Sequence, residues 1–178
     1  MISPKKIVII GPESTGKSTL TEQLAQYYHT SFTPEYAREY IENLQREYVE
    51  EDLPEIAKKQ VVLEEKNLIE AKNNLFFCDT DLYVLKVWSE HKYDHCDLWT
   101  LQQISQRKYD LYLLTYIDIP WQPDPQREHP EPAMREYFYR IYRDIVIHSG
   151  VPWADVRGSH ETRMSQSIIA IDRCIKTA

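Results

Sequence analysis

Glycine is scarce in this chain of 178 residues, at four copies, and the sequence has no internal repeat, no low-complexity tract and no apolar run approaching a membrane span in length. A spanning helix and a membrane partner are therefore not expected. The three cysteines, Cys78, Cys96 and Cys174, are widely spaced, with neither a C-x-x-C pair nor histidines in ligand register. That excludes a thiolate metal site and leaves reduced thiols as the reading. Met1-Ile2-Ser3-Pro4 runs straight into a strand-like segment, which predicts no signal peptide and a cytoplasmic location. No N-K-x-D segment for guanine recognition occurs and no L-S-G-G-Q signature, so a GTPase and a transporter ATPase are both disfavoured. The balance of 28 acidic against 21 basic residues, net −7, argues against broad attraction to nucleic-acid phosphate. It leaves a small cationic ligand electrostatically welcome. Whether copies associate as a homo-oligomer stays open.

Two of the four glycines fall in Gly11-Pro12-Glu13-Ser14-Thr15-Gly16-Lys17-Ser18, which fits G-x-x-x-x-G-K-[ST] and continues to Thr19. In a chain so poor in glycine this pattern would arise by chance roughly one time in a thousand. Its surroundings are those a phosphate-binding P-loop needs. Lys6-Ile7-Val8-Ile9-Ile10 before it reads as a buried parallel strand, and Lys17 to Tyr28 after it as a helix with Leu20, Leu24 and Tyr28 on one face. Successive loop N–H groups can curl round phosphates while the helix N-terminus adds positive potential. Lys17 would reach the β- and γ-phosphates and the Ser18 hydroxyl would ligate magnesium, so ATP and Mg²⁺ are the expected ligands.

The length suits one domain, residues 1–178, large enough to bury a sheet between two helical layers. Thr30 to Thr33 predicts a short second strand stopped by Pro34, and Glu35 opens a helix whose Tyr36, Tyr40, Leu44 and Tyr48 recur near helical spacing. Asp52-Leu53-Pro54-Glu55 is a helix start, predicting a helix over 54–72 that Asn73-Asn74 ends. Leu75 to Cys78 reads as a buried strand that delivers Asp79-Thr80-Asp81 at its end, before a helix over 82–91. Tyr109 to Thr115 is the next strand. The segment 120–132 holds five of the ten prolines, which excludes regular structure and predicts a stiff, charged loop. Met134, Phe138, Ile141 and Ile145 mark a long helix stopped by Gly150, then come a strand over 151–156 and a helix capped by Ser159 with Met164, Ile168, Ile171 and Ile175 inward. The order β-α-β-α-α-β-α-α-β-α-β-α predicts an α/β three-layer sandwich with a parallel sheet of about five strands.

Phosphoryl transfer needs a carboxylate on a strand beside the P-loop. Asp79 can hold the magnesium shell or take the proton of an attacking hydroxyl, and Asp81 can do the other job or hold substrate; the alternative for either is capping the next helix, with Thr80 as competitor. Glu35, after the second strand, should project into the same cleft as base or hydroxyl ligand, unless it only favours the helix dipole. Arg38 can bind phosphate or pair with Glu35 or Glu42. A lid over about 120–135 would carry Arg127 onto the transferring group, with Asp124 positioning it; the alternative is a solvated loop charge. Arg135 is the best functional candidate on the helix that follows. Tyr36, Tyr40, Trp88 and Trp121 can sandwich a flat ring, and a cationic ring would gain cation–π attraction, although most of the thirteen tyrosines are expected in the core. Arg157-Gly158, after the last strand, is the candidate for adenine contacts.

These segments together resemble the ribosylnicotinamide kinase domain of NadR-type proteins: G-P-E-S-T-G-K-S-T-L, Pro34-Glu35-Tyr36-Ala37-Arg38, Asp79-Thr80-Asp81, and Asp118-Ile119-Pro120-Trp121 leading to Arg127, in order over nearly the whole chain. The resemblance implies a nucleoside-kinase-like P-loop fold with a lid, and transfer of the ATP γ-phosphoryl group to the 5′-hydroxyl of nicotinamide riboside. The nucleotidyltransferase and DNA-binding domains that precede the kinase in bifunctional members have no counterpart expected here, so the small nucleoside is the expected partner. A kinase for another nucleoside or small alcohol, and a nucleotide-gated binding module, remain alternatives.

Overall fold

The computed structural model describes residues 3–176. The expectation of no leader therefore rests partly on Met1 and Ile2, outside the described residues. Five strands, β1 (Lys5–Ile10), β2 (Phe32–Thr33), β3 (Leu75–Asp79), β4 (Leu111–Thr115) and β5 (Trp153–Val156), form one parallel sheet in the order β2-β3-β1-β4-β5. The helices are α1 (Lys17–Tyr27), α2 (Tyr36–Asn43), α3 (Asp52–Leu68), α4 (Leu82–Tyr93), α5 (Leu98–Gln106), α6 (Pro132–His148) and α7 (His160–Lys176). Element order and sheet type are those the pattern of the sequence predicts.

Strand side chains alternate in direction, and both faces of this sheet are covered, so β1 is apolar at every position from Ile7 to Ile10. Ile7 and Ile9 pack with Leu20 and Leu24 of α1 and Ile171 of α7. Val8 and Ile10 pack on the other side with Val87 of α4 and Phe138, Tyr142 and Val146 of α6. Full burial of such a side chain stabilises the fold by about 1.5–3 kcal/mol each, which makes the sheet the rigid platform for everything at its carboxyl edge. A third cluster joins α2, α3, α4 and α5 through Ala37, Leu53, Ile56, Leu85 and Trp99. Among the described residues no helix is long and apolar enough to cross a membrane.

Several boundaries differ from expectation for identifiable reasons. Helix α2 stops at Asn43 and Leu44 is extended, because Asp52 draws the chain back: its carboxylate accepts from Val49 N (2.8 Å), Tyr40 Oη (2.8 Å) and Arg46 (2.7 and 2.8 Å). Tyr48 thus leaves the helical face, and Asp52 organises the preceding turn as well as opening α3. Helix α3 ends at Leu68, earlier than Asn73-Asn74, both of which have positive φ. On α6 the buried stripe is Arg135, Phe138, Tyr139, Tyr142 and Val146, one residue round from the predicted stripe, since both tyrosine rings fill the core while the Tyr139 hydroxyl reaches Asp155 at 3.0 Å. Ile175 is exposed, whereas Ser159 does stand at the start of α7, accepting from Thr162 N at 3.3 Å.

Candidate active site

The loop between β1 and α1 is shaped by two close approaches. Gly11 has φ 147°, and a Cβ there would stand 2.5 Å from Thr115 Oγ1 and 2.8 Å from its carbonyl oxygen, because β1 and β4 are paired up to Ile10 and Leu114. Only glycine fits. Gly16, at φ 77°, turns the chain into α1, and Ser14 is also left-handed at φ 56°. The Thr15 hydroxyl meets Pro12 O and Thr115 Oγ1, each at 2.7 Å, closing the loop on the sheet.

Gly11 to Thr19 form the floor of a cleft of about 230 Å³ whose other walls include Glu35, Arg38, Trp88 and Arg127. The structure thus brings together residues from the P-loop, the start of α2, α4 and the proline-rich loop. Lys17 donates to Pro12 O at 2.7 Å. Burial lowers its pKa, and the charges of Glu35, Asp79 and Glu13 raise it again. Glu35 is held above the usual carboxylate range by burial, opposed by Lys17. It precedes α2 and makes no capping hydrogen bond, so its carboxylate is not spent on the helix end. Asp79 is 3% exposed and does not line the cleft itself; it lies behind the loop, next to Ser18 and Lys17. Burial raises its pKa, while the Ser18 hydroxyl and the Lys17 charge push it down, and Oδ1 is buried without a hydrogen-bond partner. Among the described residues no group of three or more His, Cys, Asp or Glu side chains converges.

The proline-rich loop lies folded over the P-loop and is held on both sides. Glu13 accepts from Glu128 N (3.1 Å) and His129 N (2.7 Å), and Ser14 Oγ accepts from Gln122 N (3.1 Å). Across the cleft, Arg38 pairs with Asp124 at 3.1 Å and Tyr48 Oη donates to Glu128 at 2.9 Å. Arg127 donates to Gln122 O (2.6 Å) and Ser14 Oγ (3.4 Å), so it is anchored at the cleft and not free in solvent. Asp124 holds Arg38 and Gln126 N with its carboxylate, and it meets Arg127 through a backbone hydrogen bond and, at longer range, through charge.

Besides Asp79, further expected site residues lie elsewhere, Tyr40 among them, its hydroxyl on Asp52. Asp81 is buried on the far side of the turn, where it caps α4 by accepting from Tyr83 N (3.0 Å) and receives the Tyr112 hydroxyl (2.8 Å). The cause is Thr80, whose φ of 70° is a costly conformation for a β-branched residue and turns the chain so that the two aspartates diverge. Tyr36 packs in the α2–α3 cluster, its N–H donating to Gln60 Oε1 at 2.7 Å. Trp121 does not line the cleft; its ring lies 5.8 Å from the Arg135 guanidinium. Arg157 is likewise outside, stacked on Tyr116 at 4.3 Å and paired with Asp155.

The cleft also has walls that were not singled out in the sequence. Val84, Val87 and His91 share one face of α4 with Trp88, which was expected at the site, and Phe138 and Tyr142 face them from α6. His91 contacts His129 at 5.1 Å and Phe138 at 4.8 Å between ring centroids. The spacing 84, 87, 88, 91 is a helical stripe that the sequence displays, but a stripe does not reveal whether it faces a core or a cavity.

Asp81 supplies a prediction independent of the cleft. Burial pushes its pKa up to about 7. A carboxylate that ionises less readily folded than unfolded reduces stability when charged, progressively as pH rises from about 4 to 7 and fully above that. Asp81→Asn keeps a capping acceptor and avoids the buried charge. It is expected to raise stability at pH 8 by on the order of 1–3 kcal/mol and to bring no gain near pH 4, as read by thermal unfolding at both pH values. A variant less stable at pH 8 would show that the charge is compensated.

Comparison with known proteins agrees with this fold. The Salmonella typhimurium "Trifunctional NAD biosynthesis/regulator protein NadR" is 24% identical over 160 residues, 86% of this chain and 38% of its own length. A crystal structure of NadR protein in complex with NAD and AMP-PNP superposes with a TM-score of 0.76 at 23% identity, covering 96% of this chain and 49% of that one. A second NadR structure, in complex with NR, gives 0.74 at 23%, covering 96% and 51%. The chain therefore spans well under half of the curated relative and about half of the solved ones. The model of the AAA domain family matches residues 6–163, a stretch containing every residue of the cleft. This chain belongs to that family, as a P-loop domain similar in sequence and fold to NadR.

Proposed function

We propose that the protein is an ATP-dependent kinase that transfers the γ-phosphoryl group to a hydroxyl of a small nucleoside, the 5′-hydroxyl of nicotinamide riboside being the first candidate. The observation that carries this reading is the continuity of the cleft: the P-loop and Lys17 share one cavity with Glu35 and with an aromatic and aliphatic wall from α4 and α6. A nucleotide-binding site alone needs no such second compartment. The similarity to NadR, crystallised with NR and with AMP-PNP, supports the choice of acceptor, and the acidic residues around Lys17 suit a cationic ring.

In this reading the loop N–H groups and Lys17 hold the phosphates. Glu35, facing the acceptor compartment, accepts the proton of the attacking hydroxyl as the new O–P bond forms and the bond from the γ-phosphorus to the ADP oxygen breaks. Asp79 and Ser18 fit a magnesium ion: an orphaned carboxylate oxygen beside a hydroxyl offers hard oxygen ligands, and such an ion commonly takes only one or two from protein when phosphates supply others. When bound with ATP, magnesium would neutralise charge on the β- and γ-phosphates. Trp88 and Tyr142 bound the acceptor compartment, and Arg38 and Arg127 line the cleft that the phosphates would enter.

Arg127 hangs on a loop tied to Glu13 and Ser14, so its contribution should grow as charge develops on the transferred group. Arg127→Ala is expected to lower kcat by about 10²-fold while raising the Kd for ATP less than about fivefold, measured by steady-state kinetics and calorimetry. Equal turnover would return Arg127 to a loop-anchoring role. The function itself is tested by ATP consumption with magnesium against nicotinamide riboside, ordinary nucleosides and no acceptor, with the product identified by mass. Product from nicotinamide riboside alone supports the proposal, product from another nucleoside replaces the acceptor, and ATP binding without acceptor-dependent turnover overturns the kinase.

A further inference from the structure

Two arginines that do not line the cleft donate to the P-loop from behind. Arg163, at the start of α7 and 3% exposed, sends Nη1 to the carbonyl of Thr15 (2.8 Å), Nε to that of Gly158 (3.1 Å) and Nη2 to that of Tyr116 (3.0 Å), and it pairs with Asp118. Arg135, 8% exposed, sends Nη2 to the carbonyls of Ser14 (3.2 Å) and Ile119 (3.0 Å). Burying a guanidinium is costly unless its donors are met, and here almost every acceptor is a backbone carbonyl from a loop at the sheet edge.

The consequence follows from the peptide group. It is planar and trans, so its C=O and the next residue's N–H point in opposite directions. A donor that holds the Thr15 carbonyl holds the Gly16 N–H, and one on the Ser14 carbonyl holds the Thr15 N–H. Ser14, Thr15 and Gly16 line the cleft and neither arginine does, so these carbonyls face away from the cleft and the N–H groups face into it. A cation on the carbonyl side also polarises the peptide and strengthens its N–H as a donor.

We infer that Arg163 is a positioning residue for phosphate binding: it sets the Thr15–Gly16 peptide plane so that the Gly16 N–H meets the nucleotide. Asp118 neutralises its charge and does not orient the peptide. The inference rests on the reading of this loop as an ATP site, but its test needs no acceptor. Arg163→Lys retains a cation for Asp118 and lacks the planar fork. Calorimetry with MgATP is expected to show a loss of affinity on the order of tenfold, and the Gly16 amide resonance, displaced by MgATP in the unsubstituted protein, should lose most of that response.

Unchanged MgATP affinity and an unchanged Gly16 response in a folded Arg163→Lys protein would overturn the inference, leaving Arg163 a purely structural residue. Asp118→Asn tests it separately, and decides should Arg163→Lys not fold. It leaves the three carbonyl hydrogen bonds available, so affinity should stay within about threefold. A tenfold loss there would assign the effect to the ion pair and overturn the inference. Absence of ATP binding by the unsubstituted protein would instead sink the kinase reading along with it.

Discussion

Lys17→Ala is expected to reduce kcat by on the order of 10³-fold or more at saturating ATP, because the lost charge is the one nearest to where the transferring phosphoryl group accumulates negative charge. The protein should remain folded. Pro12 O, which accepts from Lys17 Nζ, also accepts from the Thr15 hydroxyl, so the loop keeps a donor at its apex. The side effect is electrostatic: Glu13, Glu35 and Asp79 all act on Lys17, and without it Glu35 and Asp79 keep only the Arg38 charge against their mutual repulsion. Their pKa values should rise further, which weakens Glu35 as a base at neutral pH and adds to the loss. Kinetics paired with a thermal unfolding curve check this, and a folded Lys17→Ala protein with substantial turnover would remove the P-loop lysine from the mechanism.

The second large effect belongs to Glu35. Glu35→Gln preserves shape and removes the proton acceptor, so kcat should fall by about 10²–10³-fold with little change in the Kd for ATP. Its pH dependence separates Glu35 from Asp79. Burial holds the Glu35 carboxyl above its usual range, opposed by the Lys17 charge. A base must be ionised to accept a proton, so the rate of the unsubstituted protein should fall as pH drops through this raised pKa, at higher pH than an ordinary carboxylate would allow. The acid limb should vanish in the residual activity of Glu35→Gln. If the variant keeps more than about half the rate, or the limb persists, the base is another group, and Asp79→Asn becomes the next variant to examine.

Arg127, Asp81 and Arg163 show how unevenly the site can be read from sequence. That Arg127 lines the cleft agrees with its expected place in a stiff loop after a strand of a P-loop protein, against the solvated loop charge that was the alternative. Asp81 lies outside it. On a regular strand, residues 79 and 81 would share a face, and the left-handed Thr80 between them cancels that rule. Trp121 and Arg157 lie outside the cleft for a related reason: both stand in loops beyond strand ends, and side-chain direction there is decided by contacts with Arg135, Asp155 and Tyr116 that lie far off in the chain or depend on loop shape. Arg163 gave no local signal, being one charge on an amphipathic helix, yet it reaches the carbonyl of Thr15 across 148 positions.

What the chain encodes locally could be read without coordinates. The P-loop is contiguous, its glycines are needed for backbone reasons, and the alternation of apolar strands with helical stripes leads to a parallel sheet because only that arrangement buries both faces. The tertiary structure alone decided which side chains meet. The pairing of β1 with β4 put Thr115 against Gly11; the packing of α4 against α6 turned two helical stripes into the walls of a cleft; and the folding of the proline-rich loop onto Glu13 and Ser14 brought Arg127 against the P-loop. Each of these depends on the direction of a side chain between elements distant in sequence. Periodicity states which residues turn inward, but not what they find there.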